Sequence, residues 1–235
     1  VVKPLIDRYY GQCDHIINQC QAMCDDLISV FPHLADKTSV IYNPVAKHIE
    51  EYAKENDLSQ IKKQNYLLCV GRLEKQKAFH YAIEAFSEIN KDFPNLRLKI
   101  VGQGSLEQSL KQCAIGFNVA DRVDFEGFQA NIIPYYLHAK ATLLTSLYEG
   151  FPNVLIESIT LGTSVVAFDC PSGPREIIQE GVNGYLVDYQ CIDIFVKSLS
   201  RHLRETVDAK AISKTVQGNS TKNIINDYRN LLSSF

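Results

Sequence analysis

The feature that most limits what this chain can fold into is a repeated pairing of two patterns. A short apolar run ends at a glycine or a polar turn, and a stretch with helical period follows it. Residues 65–70 (NYLLCV) run into Gly71, and residues 78–90 then carry Phe79, Ala82, Ile83, Phe86 and Ile89 at helical spacing. Pro94 and Asn95 break that helix, residues 96–101 alternate like a strand, and Gly102 ends the strand. The pattern continues with a helix over 106–115, a strand over 122–125 before Gly127, a short helix over 132–138 and a strand over 141–144. A helix over 154–161, strands over 164–168 and 184–187, and a helix over 192–203 complete it. Strands alternating with helices of about 10–15 residues predict βαβ units, hence a mostly parallel sheet with helices on both faces. The continuous apolar character of 66–70 and 165–168 fits strands covered on both sides. Ligands of such sheets sit beyond the carboxyl ends of the strands. Gly71-Arg72, Gly102-Gln103-Gly104 and Gly127 all fall there.

The two ends of the chain differ from this middle. A helix is expected over 20–30 and an extended stretch over 40–42, stopped by Asn43-Pro44. Residues 206–235 are polar, with weak helical period through Ile224, Ile225, Tyr228, Leu231 and Leu232. The opening residues Val1-Val2-Lys3-Pro4 are neither a secretion leader nor a start methionine, so a fragment or processed product is expected. A net charge of -3 with no basic block gives no reason to expect nucleic acid as the main partner. No apolar run approaches the ~20 residues of a membrane-spanning helix.

Seven cysteines are present without a CxxC pair. Cys13, Cys20 and Cys24 share one helical face if that segment is helical throughout. No histidine stands at ligand spacing beside them, so buried thiols are expected rather than a metal site. An odd count without a secretion signal points to a reducing compartment, the cytoplasm. His15, His80 and His138 are scattered and read as structural. Asn219-Ser220-Thr221 matches a glycosylation sequon, read as coincidence in such a compartment.

Three motifs carry possible chemistry. The segment from Gly71 to Lys77 (GRLEKQK) leaves a strand and opens a helix, so backbone N–H groups and a positive helix end lie beside Arg72 and Lys77. Such a turn suits an anion, with Arg binding bidentately and Lys as a point charge; a solvated basic loop fits the pattern equally. Gly102-Gln103-Gly104 is a partial phosphate fingerprint, because position 107 is Glu, and a tight turn explains it as well. Glu149 and Glu157 flank a helix start at Pro152-Asn153, so one carboxylate lies in the loop and the other on the helix. Together they can accept hydrogen bonds from a polyol, while the amides of Asn153 and Val154 can face a phosphate. Spacing alone favours two surface carboxylates. Residues 171–176 read as a structural loop and residues 181–185 as a hairpin-like turn.

Taken in order, these motifs resemble the C-terminal half of family 4 retaining glycosyltransferases. The matching residues are Tyr42-Asn43-Pro44-Val45, Gly71-Arg72-Leu73 with Lys77, Val101-Gly102-Gln103-Gly104 and residues 123–127 (VDFEG). Residues 149–157 (EGFPNVLIE), then Gly173-Pro174-Arg175-Glu176 with Gly181-Val182-Asn183-Gly184, complete the set. The resemblance implies the GT-B architecture, in which two Rossmann-like domains enclose the active site. It assigns residues 1–40 to the end of the N-terminal, acceptor-side domain and linker. Residues 41–205 form the nucleotide-sugar-binding domain, and 206–235 a helical tail that crosses back.

The implied roles are specific. Arg72 and Lys77 neutralise the donor diphosphate, Glu157 binds the ribose hydroxyls, and Glu149 contacts the donor sugar. Gly71, Gly150, Phe151, Asn153 and Val154 lie around that donor. Gly102 and Gly104 let the backbone approach the nucleotide, and the loop after Gly127 meets the base. Two departures stand out: Ala78 replaces the glycine usual after the diphosphate lysine, and Pro152 has no N–H to donate.

The expected reaction is transfer of a hexose or N-acetylhexosamine from a UDP-sugar, or another NDP-sugar, to a glycan or lipid-linked saccharide. Polysaccharide, lipopolysaccharide or capsule synthesis is the expected setting. No cofactor or metal ion is expected. Peripheral contact with the cytoplasmic face of a membrane would come through the opposing domain. A nucleotide-sugar-binding module without catalysis and a sugar-nucleotide epimerase of the same architecture are the competing readings. A nicotinamide dehydrogenase is disfavoured, since GxGxxG and its ribose-binding acid are not found.

Overall fold

The computed structural model describes residues 2–235. It opens with helix α1 (Val2–Tyr10), strand β1 (Ile16–Asn18), helix α2 (Gln21–Val30), strand β2 (Thr38–Val40) and helix α3 (Lys47–Glu55). The alternating part follows: β3 (Tyr66–Val70), α4 (Phe79–Asp92), β4 (Arg97–Val101), α5 (Glu107–Gly116), β5 (Val123–Gly127), α6 (Ile133–His138) and β6 (Ala141–Leu144). Then come α7 (Asn153–Thr160), β7 (Val165–Phe168), α8 (Pro174–Ile177), β8 (Gly184–Val187) and α9 (Ile192–Arg204). Helices α10 (Ala209–Lys214) and α11 (Thr221–Leu232) close the chain.

Six strands form one sheet in the order β5-β4-β3-β6-β7-β8, every neighbouring pair parallel. The expected Rossmann-like parallel sheet with helices on both faces is what forms. Alternation along each strand divides the core in two. Leu67 and Cys69 of β3 pack with Phe79, Ile83 and Phe86 of α4 and with Phe195 and Leu199 of α9. Tyr66 and Leu68 pack on the other face with Tyr136 of α6, Leu155, Ile156 and Ile159 of α7, Ile49 of α3 and Ile212 of α10. Ile83 and Phe86 are fully buried, each contributing about 1.5–3 kcal/mol. The exposed Lys91–Glu88 pair on the same helix contributes less than about 1 kcal/mol, so the apolar stripe holds α4.

Strands β1 and β2 form a separate two-stranded parallel sheet. The segment is pinned to the larger sheet by polar contacts. Glu176 accepts from the first two amides of α2, Gln21 N at 2.8 Å and Ala22 N at 2.9 Å, and from Tyr42 Oη at 3.0 Å. The Tyr42 ring lies 5.4 Å from that of Phe151, and Asn43 Nδ2 donates to Asn153 Oδ1 at 3.1 Å.

Two readings need correction. Cys13 lies in the loop before β1 and Cys20 is the residue that caps α2, so with Cys24 they do not share a helical face. Residues 181–185 are not a hairpin turn, because β8 runs parallel to β7 and the turn instead returns the chain from α8 to the sheet edge. His15 meets Ser39 Oγ at 2.9 Å and His138 Nδ1 meets the Lys62 carbonyl at 3.0 Å, contacts in keeping with structural histidines. All seven cysteines are free thiols.

Candidate functional site

The strand order reverses between β3 and β6, so the loops at their carboxyl ends must splay apart above the sheet, which is where such folds take ligands. Those two loops carry Gly71 to Lys77 and Thr145 to Phe151. They are stitched together: Leu147 N donates to the Gln76 carbonyl at 2.8 Å, and Gln76 Nε2 to the Tyr148 carbonyl at 3.0 Å. Thr145 Oγ1, fully buried, donates to the carbonyls of Lys77 and Ala78 at 3.1 and 3.2 Å.

Lys77 Nζ meets Glu149 Oε1 at 2.7 Å, with 14% of the lysine side chain and 7% of the glutamate side chain exposed. Ser146 Oγ, itself buried, donates to the same Oε1 at 2.5 Å, and the Glu149 amide donates to the Pro171 carbonyl at 3.0 Å. Glu149 is therefore an anchored carboxylate, not a free surface one. Gly71 makes the lysine's path possible. A Cβ there would lie 3.0 Å from Lys77 Cε and 3.3 Å from Cδ, at a φ of +150°. Arg72, in contrast, is exposed, and its guanidinium makes one long contact, Nη2 to Gln76 Oε1 at 3.4 Å.

The residue that follows Lys77 is strained. Ala78 caps α4 with φ 45° and ψ 42°, the left-handed region that costs a non-glycine residue about 1–2 kcal/mol. The turn keeps its left-handed shape although the chain lacks glycine there.

Gly102 and Gly104 have a structural explanation. A Cβ on Gly102 would fall 1.9 Å from the Gly71 carbonyl oxygen, and one on Gly104 2.5 Å from the Leu73 carbonyl oxygen. The faces a side chain would occupy are filled by the 71–73 loop, so close packing of two loop backbones demands glycine at both positions. Gly150 also has neighbours, with Gln19 Oε1 and Met23 Sδ each 3.5 Å from where its Cβ would stand.

Helix α7 begins at Asn153 after Pro152, so the amides of Asn153 and Val154 lack intrahelical partners, as at any helix start. Asn153 is exposed and Phe151 buried. Glu157 lies one turn in. Its Oε2 accepts from Tyr136 Oη at 3.0 Å, and Tyr136 is fully buried. Burial pushes the Glu157 carboxyl above its ordinary value, only partly offset by the Tyr136 bond and the nearby His48. Burial, and then the Glu149 charge, push the Cys170 thiol at the end of β7 up to about 12.

The family model described as glycosyl transferases group 1 matches residues 51–218, most of the chain. The chain belongs to the group 1 glycosyl transferases. A relative in Methanocaldococcus jannaschii, described as an uncharacterized glycosyltransferase, is 30% identical over 180 residues, 74% of this chain and 44% of the relative. A Campylobacter jejuni enzyme is 32% identical over 189 residues, 80% of this chain and 50% of its own length. It is named as an N-acetylgalactosamine-N,N'-diacetylbacillosaminyl-diphospho-undecaprenol 4-alpha-N-acetylgalactosaminyltransferase. The pneumococcal O-GlcNAc transferase GtfA, solved with UDP and GlcNAc, superposes with a TM-score of 0.81 at 21% identity, covering 97% of this chain and 47% of that one. This group 1 glycosyl transferase chain thus spans about half the length of the relatives it matches.

Within the group 1 glycosyl transferase frame, the structure brings Lys77 and Glu149 into contact and sets Arg72 on the same loop, while Glu157 stands apart with its own partner. Sequence reasoning missed Ser146 and Tyr136 as supporting groups, and read Glu176 as part of a structural loop. Ser146 stands three residues before Glu149, a spacing that hints at a local turn contact. Tyr136 lies 21 residues before Glu157 and leaves no local signal.

Proposed function

We propose that this chain is the donor-binding half of a retaining glycosyltransferase of the family 4 kind. It takes a UDP-sugar, or another NDP-sugar, and the enzyme passes a hexose or N-acetylhexosamine to a saccharide or lipid-linked acceptor. The observation that carries this reading is the pair of cations, Arg72 and Lys77, on a strand-end loop at the point where the strand order reverses, with Glu149 paired to Lys77. Departure of the sugar leaves negative charge on the diphosphate, and cations on this loop, Lys77 held and nearly buried, stabilise that charge as it develops. Arg72 and Lys77 serve there, helped by the open amides at the start of α7. Glu149 accepts from sugar hydroxyls and Glu157 from the ribose. Gly71, Gly150, Phe151, Asn153 and Val154 line the donor, the 102–104 turn borders the nucleotide, and the loop after Gly127 borders the base.

Other observations support parts of this reading. The C. jejuni relative is named for a lipid-linked saccharide acceptor, and the pneumococcal neighbour was solved with UDP and GlcNAc. The diphosphate charge is assigned to Arg72 and Lys77, and the proposal invokes no metal or cofactor. Residues 1–40 are assigned to the end of the opposing domain and 206–235 to the returning tail. Among the described residues no helix is long and apolar enough to cross a membrane; location in the cytoplasm, with peripheral membrane contact through the opposing domain, is part of the proposal.

Calorimetric titration with UDP tests the diphosphate assignment. Arg72→Ala and Lys77→Ala are each expected to weaken UDP by about tenfold or more, the loss of a charge-assisted bond of about 1.5–3 kcal/mol. Both variants should melt as cooperatively as the parent. Unchanged UDP affinity in both would remove the assignment.

A further inference from the structure

Resting on that reading of the site, we propose that Glu149 is a placeholder for the donor diphosphate. In the unliganded protein it holds the charge of Lys77, and a diphosphate that takes the lysine leaves it to be compensated by the sugar. The inference starts from an imbalance between the two cations. Arg72 is exposed, with one 3.4 Å contact to Gln76, and can meet an anion without losing an ionic partner. Lys77 cannot. Its stem is laid across Gly71, and its Nζ is committed to Glu149 at 2.7 Å in a nearly buried pair. Any dianion that arrives at Lys77 must compete with a carboxylate already there, or accept that carboxylate's repulsion at short range.

The second half of the inference concerns where Glu149 goes when the lysine is taken. Both of its recorded donors, Lys77 Nζ and Ser146 Oγ, converge on one oxygen, Oε1. Its backbone is held separately, through the amide bond to the Pro171 carbonyl. Loss of Lys77 therefore leaves the carboxylate tethered by Ser146 and by the main chain, in place but without its counter-charge. A carboxylate in that state gains most from new hydroxyl donors, which the sugar of the same donor molecule carries. Lys77 and Glu149 thus exchange partners together: phosphate for carboxylate, sugar hydroxyl for ammonium. The device makes Glu149 a specificity-determining residue. It disfavours UDP, which takes the lysine and leaves the carboxylate uncompensated, relative to UDP-sugar, which satisfies both.

The consequence runs against ordinary expectation for a binding-site residue: removing its charge should tighten UDP. Glu149→Gln keeps the shape and leaves Lys77 as an unpaired, nearly buried cation. UDP affinity of this variant, measured by calorimetry on the full 235-residue chain, is expected to rise by about tenfold. Preference for UDP-glucose or UDP-N-acetylglucosamine over UDP should shrink by at least the same factor. In the Lys77→Ala background Glu149→Gln should raise UDP affinity by a much smaller factor than in the parent, because the carboxylate acts chiefly by holding the lysine and only repulsion remains to be relieved. Glu149→Asp, which retracts the carboxylate by one methylene, should move affinity in the same direction by a smaller factor, and it serves should the Gln variant not fold. UDP binding in Glu149→Gln equal to or weaker than the parent, while Arg72→Ala and Lys77→Ala weaken it, overturns the placeholder but leaves the diphosphate site standing. No UDP binding by the parent chain, with Arg72→Ala and Lys77→Ala also without effect, overturns both.

Discussion

At the residue scale the carboxylate on α7 is the most informative group. Glu157 is lifted above its ordinary value of 4.5 by burial, and only in part restored by the Tyr136 hydroxyl. The sign of the consequence differs for stability and for binding. The folded chain holds the Glu157 proton more tightly than the unfolded chain does. This residue's contribution to stability therefore declines as pH rises from 4.5 through its folded value. With Glu157 at the ribose, as proposed, binding runs the other way, since ribose hydroxyls donate best to the ionised form. Uridine affinity is expected to fall as pH drops from neutral, beginning above 4.5, and Glu157→Gln should bind more weakly but lose that dependence. Titrations at a series of pH values check it; a parent profile as flat as the variant's would exclude Glu157 from the ribose.

At the scale of elements, a side chain of helix α3 helps to hold the start of helix α11. Glu50 of α3 is buried, pairs with Lys54 and accepts from Thr221 N, in the first turn of α11, at 3.1 Å. Burial opposes its ionisation, but the bonds from Lys54 and Thr221 outweigh burial and hold its carboxyl below the ordinary value. Its contribution is thus present above 4.5 and lost as pH falls through the folded value. Glu50→Ala is expected to cost about 2 kcal/mol, the worth of a hydrogen bond to a charged group, and to speed amide exchange across residues 221–232 ahead of the sheet. Equal protection of α11 in variant and parent would contradict this.

Elements also show what was legible beforehand. The strands and helices from β3 to α9 carried their own signal, because a doubly covered strand must be continuously apolar and an outer helix must be apolar on one stripe. Helix α3 was missed. Its sequence KHIEEYAKE is mostly charged, and packing of Ile49 against α7 decides its place. Strand β1 has three residues, too few for any period to register. The candidate site was legible as loops but not as a constellation. Lys77 and Glu149 are 72 residues apart, and only the adjacency of β3 and β6 in the sheet brings them together.

At the scale of the whole molecule, the donor contacts assigned above all lie between Gly71 and Glu157, inside a sheet that has its own two-sided core. The isolated 235-residue chain is therefore expected to fold and to bind UDP without transferring sugar. Positioning an acceptor can account for about 7–11 kcal/mol of a barrier, and the proposal assigns that task to an opposing domain. Assay with UDP-sugars and candidate acceptors decides: turnover by this chain alone would refute the half-enzyme reading.

The strand order has one more consequence, for the chain as it is made. β3 is the first strand of the six-stranded sheet to be synthesised, yet it ends in the middle, between β4 and β6. Its β4 side is satisfied within about 30 residues of synthesis, the length of one βαβ unit. Its other side stays open until residues 141–144 have emerged, leaving the backbone of Leu67 and Leu68 without the partners they later find in Ala141 and Thr142. Through that interval a nascent chain carries a bare, apolar strand edge, the kind of surface on which neighbouring chains add strands. The adjacency that brings the candidate-site loops together is thus also the point at which a growing chain most needs chaperones or dilution.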